Sequence, residues 1–461
     1  MSTLVNAMRQ YDSTTANGAV THSTSLSYLV DMFFLAGASR NMSESDIITV
    51  FERAYAEDPS VAAKILFWSR DARGGAGERR FFHIVMKHIA QTRPEIFEML
   101  VIHTPEFGYW KDVFVVDTPN QDTLNWLSIQ LEESPNRNLL AKWFPRKGPW
   151  FTSMHKYMGI TPKDLRKKLV TMTKVVETQM CQKKWSDIEY DKVPSLAMNR
   201  YRNAFFKHDG ARMSSFIEDV KSGKAKINAS VLFPHQLYQA IAKGNNADAV
   251  TAQWNALPDY MQDSTERILP VCDVSGSMNG LPMDVSVSLG IYISERNKGI
   301  FKDAFITFSE HPQMHYLQGS LPERMAQLSS SEWGMNTDLQ SVFNLVLNSA
   351  VRENIPETDM PTKILIISDM EFDEACGTGT NLDEIRREYA LKGYKLPEII
   401  FWNVNGRLGN SPASVSDTGI GLVSGFSPSI LKSILKGKVY GPKELMLDTV
   451  MVDRYKAIRI D

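Results

Sequence analysis

An apolar run, Ile268-Leu269-Pro270-Val271-Cys272, leads straight into Asp273-Val274-Ser275-Gly276-Ser277. Alternate positions there carry one carboxylate and two hydroxyls, so three oxygens can converge on one point while Gly276 relaxes the turn. Such donors suit a hard divalent cation, Mg2+ or Mn2+, which takes about six oxygen ligands and usually keeps several waters. A plainer reading has the serines capping the helix that starts near Pro282 and the aspartates closing turns. Two distant residues weigh against it. Thr337 stands in Gly334-Met335-Asn336-Thr337-Asp338 just before a helical pattern, and Asp369 ends the run Ile364-Leu365-Ile366-Ile367-Ser368. With Asp273, Ser275 and Ser277 they make five oxygen-bearing positions to be placed.

The elements that must position these residues alternate strand and helix from residue 265 to about 426. Strands are expected at 268–272, 304–308, 363–368, 398–404 and 419–424. Near-continuous apolar strands separated by helices imply a parallel sheet covered on both faces. Ligands of such sheets bind beyond the carboxyl ends of the strands, where the five residues fall. The order strand, helix, strand, threonine loop, helix, strand, aspartate resembles the von Willebrand factor A domain, and the resemblance implies that Asp273, Ser275, Ser277, Thr337 and Asp369, which match its metal-ion-dependent adhesion site (MIDAS), form one cation centre. Residues 442–461 predict a further helix and a strand at 457–460.

The chain has 461 residues, enough for two or three domains with a large core. No run of eighteen apolar residues and no charged start with an apolar core occurs, so neither a membrane span nor a signal peptide is expected. Cys181, Cys272 and Cys376 are odd in number and scattered, which fits a reducing, cytoplasmic setting better than a disulfide framework. In that setting the tripeptides at Asn41 and Asn228 carry no glycan meaning. Cys272, at a strand end, should be buried and inert. Residues 265–461 hold 19 Lys and Arg against 25 Asp and Glu, which leaves 32 against 28 of the chain's 51 and 53 for the first part. An anionic partner for that first part is the natural expectation.

Residues 25–256 show helical periodicity instead. Leu26, Leu29, Val30, Phe33 and Phe34 recur at helical spacing, as do Val61, Lys64, Ile65 and Trp68. Helices of ten to fifteen residues joined by short turns suggest stacked pairs in a solenoid. Between Lys142 and Lys184 lie eleven basic residues, Lys142, Arg146, Lys147, Lys156, Lys163, Arg166, Lys167, Lys168, Lys174, Lys183 and Lys184, against Asp164 and Glu177 alone. Trp143, Phe144, Trp150, Phe151, Tyr157 and Trp185 interleave them. Charge that neutralises phosphates beside rings that stack on bases reads as an RNA surface, and the bland alternative is a solvated helix face over core aromatics. Arg200 and Arg202 belong to a second, weaker cluster. In Arg70-Asp71-Ala72-Arg73-Gly74-Gly75-Ala76-Gly77-Glu78-Arg79-Arg80, the glycines read as a helix stop with Glu78 opening the next helix, which leaves Arg70, Arg73, Arg79 and Arg80 as phosphate candidates.

The order Phe67-Trp68-Ser69-Arg70-Asp71 with its glycines, Gly108-Tyr109-Trp110-Lys111-Asp112, Ala141-Lys142-Trp143-Phe144-Pro145 and Val193-Pro194-Ser195 resembles a TROVE-related family of plants, fungi and large viruses, relatives of the Ro autoantigen. The resemblance covers about 26–455. It implies a TROVE-like, HEAT-like α-helical repeat module over 1–264, joined to an α/β von Willebrand A domain with a C-terminal helical segment over 265–461. It also implies a ribonucleoprotein component binding small noncoding RNA. Catalytic motifs are missing: no His-Glu-x-x-His, Walker loop, Cys-x-x-Cys or Gly-x-Ser-x-Gly occurs, and His83 and His88 stand five apart. Glu371 and Asp373 could be an acid pair beside the cation or a strand end turning polar. The chain therefore reads as a non-enzymatic RNA-binding protein, single-stranded or small noncoding RNA being its partner. The rival reading is an assembly module whose cation grips an acidic side chain of a protein partner, with the helical part as scaffold.

Overall fold

In the computed structural model of the chain, the described residues are 11–117, 119–308, 312–329, 337–374 and 380–460. A two-residue antiparallel hairpin comes first, β1 (Ser13–Thr14) with β2 (Val20–Thr21). Helices follow as α1 (Tyr28–Ala36), α2 (Glu44–Glu57), α3 (Pro59–Arg70), α4 (Arg80–Thr92), α5 (Pro94–Val101), α6 (Thr104–Phe107), α7 (Gln121–Glu133), α8 (Arg137–Trp143), α9 (Pro149–Tyr157), α10 (Pro162–Met172), α11 (Val176–Cys181), α12 (Ser195–Lys221), α13 (Pro234–Ala242) and α14 (Ala247–Asn255). Local chemistry sets many of their starts. The side chains of Ser27, Ser43, Asp58, Asn120 and Thr161 each accept a backbone N–H of the first turn, and Pro59, Pro94 and Pro162 stand where no N–H is needed. Helix α4 starts at Arg80, two residues after the expected Glu78. Leu26 lies outside α1, exposed and at a positive φ of 70°, so the apolar stripe begins at Leu29.

The second part is β3 (Ile268–Cys272), α15 (Leu281–Arg296), β4 (Ala304–Thr307), β5 (Met314–Tyr316), α16 (Leu321–Ser329), α17 (Leu339–Glu353), β6 (Lys363–Ser368), α18 (Asn381–Lys392), β7 (Glu398–Asn403), β8 (Ile420–Ser424), α19 (Leu431–Ile434) and α20 (Pro442–Val450). The six strands lie in the order β5-β4-β3-β6-β7-β8, all parallel except the antiparallel edge β5. A helical part followed by a mostly parallel α/β sheet is the architecture expected from the sequence. Two details differ. The edge strand β5 was not anticipated, and 457–460 pairs with nothing as a strand. Instead the Ile458 and Tyr455 carbonyls accept Lys64 Nζ at 2.8 and 3.1 Å, which explains a lysine on the apolar face of α3.

Parallel neighbours β7 and β8 are joined by a loop, 404–419, and cover over β8 comes from α1 and α20. Ser424 Oγ donates to the Phe33 carbonyl (2.7 Å) and accepts Gly37 N–H (3.0 Å). A Cβ at Gly37 would stand 2.4 Å from Ser424 O, so this approach requires glycine. One apolar core thus runs without a break from α1 through the sheet to Ile458, and a smaller one joins Ile188, Met198, Phe205, Met213 and Ile217 around α12. No helix of the described residues is long and apolar enough to cross a membrane.

Candidate functional site

Strands β3 and β6 are register neighbours, Cys272 facing Ile367, so their carboxyl ends deliver Asp273 and Asp369 to adjoining places. Asp273 N–H extends the ladder to the Ile367 carbonyl (2.9 Å). Its carboxylate accepts Ser368 Oγ–H (2.6 Å) on one oxygen and Ser275 N–H (2.9 Å) on the other. The Ser275 and Ser277 hydroxyls lie 3.0 Å apart. Thr337 is latched from the far side: its N–H donates to Asp373 Oδ2 (2.7 Å) and its carbonyl accepts Asp373 N–H (3.1 Å). Asp273, Ser275, Thr337 and Asp369 are buried, while Ser277 faces solvent.

Charge is poorly compensated here. Burial, then the neighbouring Asp273 charge, pushes Asp369 up to about 6 despite Arg407 and Ser277. Burial also raises Asp273, against the hydrogen bonds from Ser368 and Ser275. Among the described residues, Thr337 Oγ1, in a residue 1 % exposed, has no hydrogen-bond partner. An orphaned buried hydroxyl costs about 1–3 kcal/mol unless something supplies a partner, and a cation would satisfy it together with both carboxylates. Met370, between Asp369 and Glu371, is buried at a φ of 66°, a strained conformation for a residue with a Cβ. Among the described residues no group of three or more His, Cys, Asp and Glu is placed to hold an ion; this set has two carboxylates and three hydroxyls. Its donors fit Mg2+ or Mn2+ with water completing the shell.

Glu371 and Asp373 do not form an isolated acid pair. Glu371 accepts Ala16 N–H (2.5 Å) and pairs with Arg407 (3.3 Å), so the N-terminal hairpin is tied beside the site, and Asp373 holds Thr337. Sequence reading missed Arg407, whose guanidinium also reaches Asp369 (3.2 Å), and Ser368, which lies next to Asp369 in the chain.

The expected RNA residues divide three ways. Arg70 and Arg202 must be withdrawn from any phosphate-binding set, since they are 2 % and 1 % exposed. Arg70 forks onto Asp112 Oδ2 through Nε (2.8 Å) and Nη2 (2.5 Å), and Arg202 donates to Gln253 and Asn199. Arg79, Arg80, Lys142, Arg146 and Lys168 are half-buried. Arg79 reaches Asp112 (3.0 Å), Arg80 holds the Met42 and Ser39 carbonyls, Arg146 contacts Phe144 O, Lys142 pairs with Glu177 (2.6 Å), and Lys168 pairs with Glu132. Arg73, Lys147, Lys163, Arg166, Lys167 and Arg200 are exposed. Arg73 bonds the Glu106 carbonyl, and the other five have no carboxylate within ion-pair distance among the described residues.

Half of the interleaved aromatics are core: Phe144, Trp150 and Phe151 are buried, Trp143, Tyr157 and Trp185 are half-buried, and Trp150 Nε1–H donates to the Val116 carbonyl (2.7 Å). Trp185 stacks on His208 with ring centroids 4.5 Å apart. The glycine-arginine segment proves to be a junction. Asp71 receives Arg454 Nη2 (2.7 Å) and Tyr455 Oη (3.0 Å) from the C-terminal segment, and a Cβ at Gly75 would lie 2.0 Å from Trp68 O.

Residues 267–457 match a family described as a domain of unknown function (DUF7788), and residues 15–123 and 152–266 match a second domain of unknown function (DUF2828). An uncharacterized protein, L728, of Acanthamoeba polyphaga mimivirus is 29% identical over 496 residues, spanning 94% of this chain and 86% of the viral one. Among solved structures, the Ro (RSR) protein of Deinococcus radiodurans aligns over 94% of this chain and all of its own, at 13% identity and a TM-score of 0.39. What the chain is similar to is thus two adjoining domain families and a viral protein that share nearly its whole length.

Proposed function

We propose that the protein binds RNA across the exposed basic surface of α9, α10 and the turn before them, and carries a non-catalytic divalent-cation centre on the sheet. One observation carries the RNA reading: Lys163, Arg166 and Lys167 occupy one side of α10, exposed and without carboxylate partners among the described residues, with Lys147 exposed nearby in the chain. Unneutralised cations on a helix face suit a polyphosphate backbone. With Phe144, Trp150 and Phe151 inside the core, backbone charge rather than base stacking is the principal attraction. Sequencing the RNA that co-purifies with tagged full-length protein tests this. Recovery from wild type and loss from a variant with Lys147, Lys163, Arg166 and Lys167 neutralised support it, whereas equal recovery from both refutes it.

A second reading is favoured by Thr337 Oγ1 and the paired buried carboxylates. These support a Mg2+ or Mn2+ centre of Asp273, Ser275, Ser277, Thr337 and Asp369 whose remaining position takes an acidic side chain of a protein partner. One ion among hydroxyls suits holding a ligand better than two-metal phosphodiester cleavage, which needs a second ion and carboxylates to share it. A cytoplasmic setting agrees with Cys181 and Cys272 being free thiols. Chelation that releases a co-purifying protein supports this reading.

A further inference from the structure

We infer that Arg407 is a built-in competitor of the cation: it pairs with Asp369 and Glu371 when the centre is empty and is displaced when a divalent ion binds. This rests on the metal-centre reading above. Arg407 Nη2 lies 3.2 Å from Asp369 Oδ2 and Nη1 lies 3.3 Å from Glu371 Oε1, so one guanidinium bridges both carboxylates. Among the described residues it is the one basic side chain within ion-pair distance of either.

The arginine is held in place yet able to leave. Its loop is pinned on both sides, by Gly406 N–H on the Ala38 carbonyl (2.8 Å) and by Asn410 Nδ2–H on the Met370 carbonyl (2.9 Å), while the Arg407 side chain is 42 % exposed and Leu408 beyond it faces solvent. A side-chain rotation alone would carry the guanidinium into water. Glu371 would keep its hydrogen bond from Ala16 N–H, so it tolerates the departure. Asp369 would lose the one ion-pair partner it has among the described residues and would need the cation in its place. Two positive groups cannot share Asp369 at close range without mutual repulsion, so occupancy by one must oppose the other.

The test is calorimetric titration of full-length protein with MnCl2 and MgCl2 at constant ionic strength, comparing wild type, Arg407→Gln, Arg407→Lys and Asp273→Ala. Two half-exposed ion pairs set the scale, and Arg407→Gln should bind the ion about tenfold more tightly, with Arg407→Lys in between. In chelator, Arg407→Gln should melt below wild type, and saturating Mn2+ should remove that difference. Equal or weaker affinity in Arg407→Gln overturns the competition while leaving the metal centre standing. Absence of Asp273-dependent binding in both wild type and Arg407→Gln overturns the metal centre and the competition with it. A stability loss in Arg407→Gln that Mn2+ fails to repair marks the arginine as merely structural and also overturns the inference.

Discussion

Replacing Asp369 by Asn should stabilise the cation-free protein while abolishing its response to Mg2+. Asp369 is buried, and burial together with the Asp273 charge lifts its carboxyl to about 6, from the ordinary 3.8. Because the folded value is the higher one, the folded state binds more protons between about pH 4 and pH 6, and stability falls as pH rises through that window. Above it, keeping Asp369 ionised costs about 3 kcal/mol. Asparagine removes that charge and gives up the Arg407 contact, so a net gain of about 1–3 kcal/mol is expected at pH 7.5, read as a rise of roughly 2–5 °C in melting temperature. The gain should shrink on acidification and be nearly gone by about pH 4. Scanning calorimetry in EDTA at pH 7.5, 5.5 and 4.5, repeated with Mg2+, reads every part of this. Wild type should gain stability with Mg2+ and Asp369→Asn should not. A lower melting temperature for Asp369→Asn at pH 7.5 in EDTA, or a difference unchanged by pH, would refute the reasoning.

Other outcomes follow from the same structure. Asp273→Ala should abolish Mg2+ or Mn2+ binding without unfolding the sheet, and unchanged affinity by calorimetry would remove Asp273 from the centre. Cys272 is buried against Gly290, where an added Cβ would lie 2.2 Å from its Sγ, and burial pushes the thiol up to about 12; native labelling with a thiol reagent should modify exposed Cys181 and spare Cys272. Asp112→Ala should destabilise by about 3–5 kcal/mol, since it leaves Arg70 buried without its partner, and a denaturant midpoint near that of wild type would contradict this. Burial alone would raise Asp112, but the His83 hydrogen bond and the Arg70 charge hold it well below the usual carboxylate range. Its stabilisation should therefore be complete above about pH 4 and be lost as pH falls further, and acid titration of wild type against Asp112→Asn would show it.

The paired strand ends were legible because an apolar strand announces its own end: Ile268–Cys272 and Lys363–Ser368 stop at the aspartates, and a parallel sheet sets such ends side by side. Arg407 was not legible, since it stands 38 residues beyond Asp369 in a loop with no motif, and only folding brings it back. The short edge strand Met314–Tyr316 offered too few residues for a period to show. Trp150 and Phe151 stayed open between base stacking and core because amphipathic helices space core aromatics and surface lysines alike, and spacing cannot say which face points inward. Arg70 looked like a phosphate ligand until Asp112, 42 residues away, was seen to hold it. Cover of β8 by α1 joins residues 391 apart, a contact that local pattern does not encode.

The most direct test of RNA binding by the basic helical surface is an anisotropy titration of full-length protein with a labelled RNA at several salt concentrations. If Lys147, Lys163, Arg166 and Lys167 neutralise backbone phosphates, log affinity should fall with log salt by about 0.7 per phosphate neutralised on a single strand. Neutralising those four residues together should flatten the slope by about 2–3, while Asp273→Ala leaves it unchanged. No binding at low salt, or a slope indifferent to the four substitutions, would contradict the account.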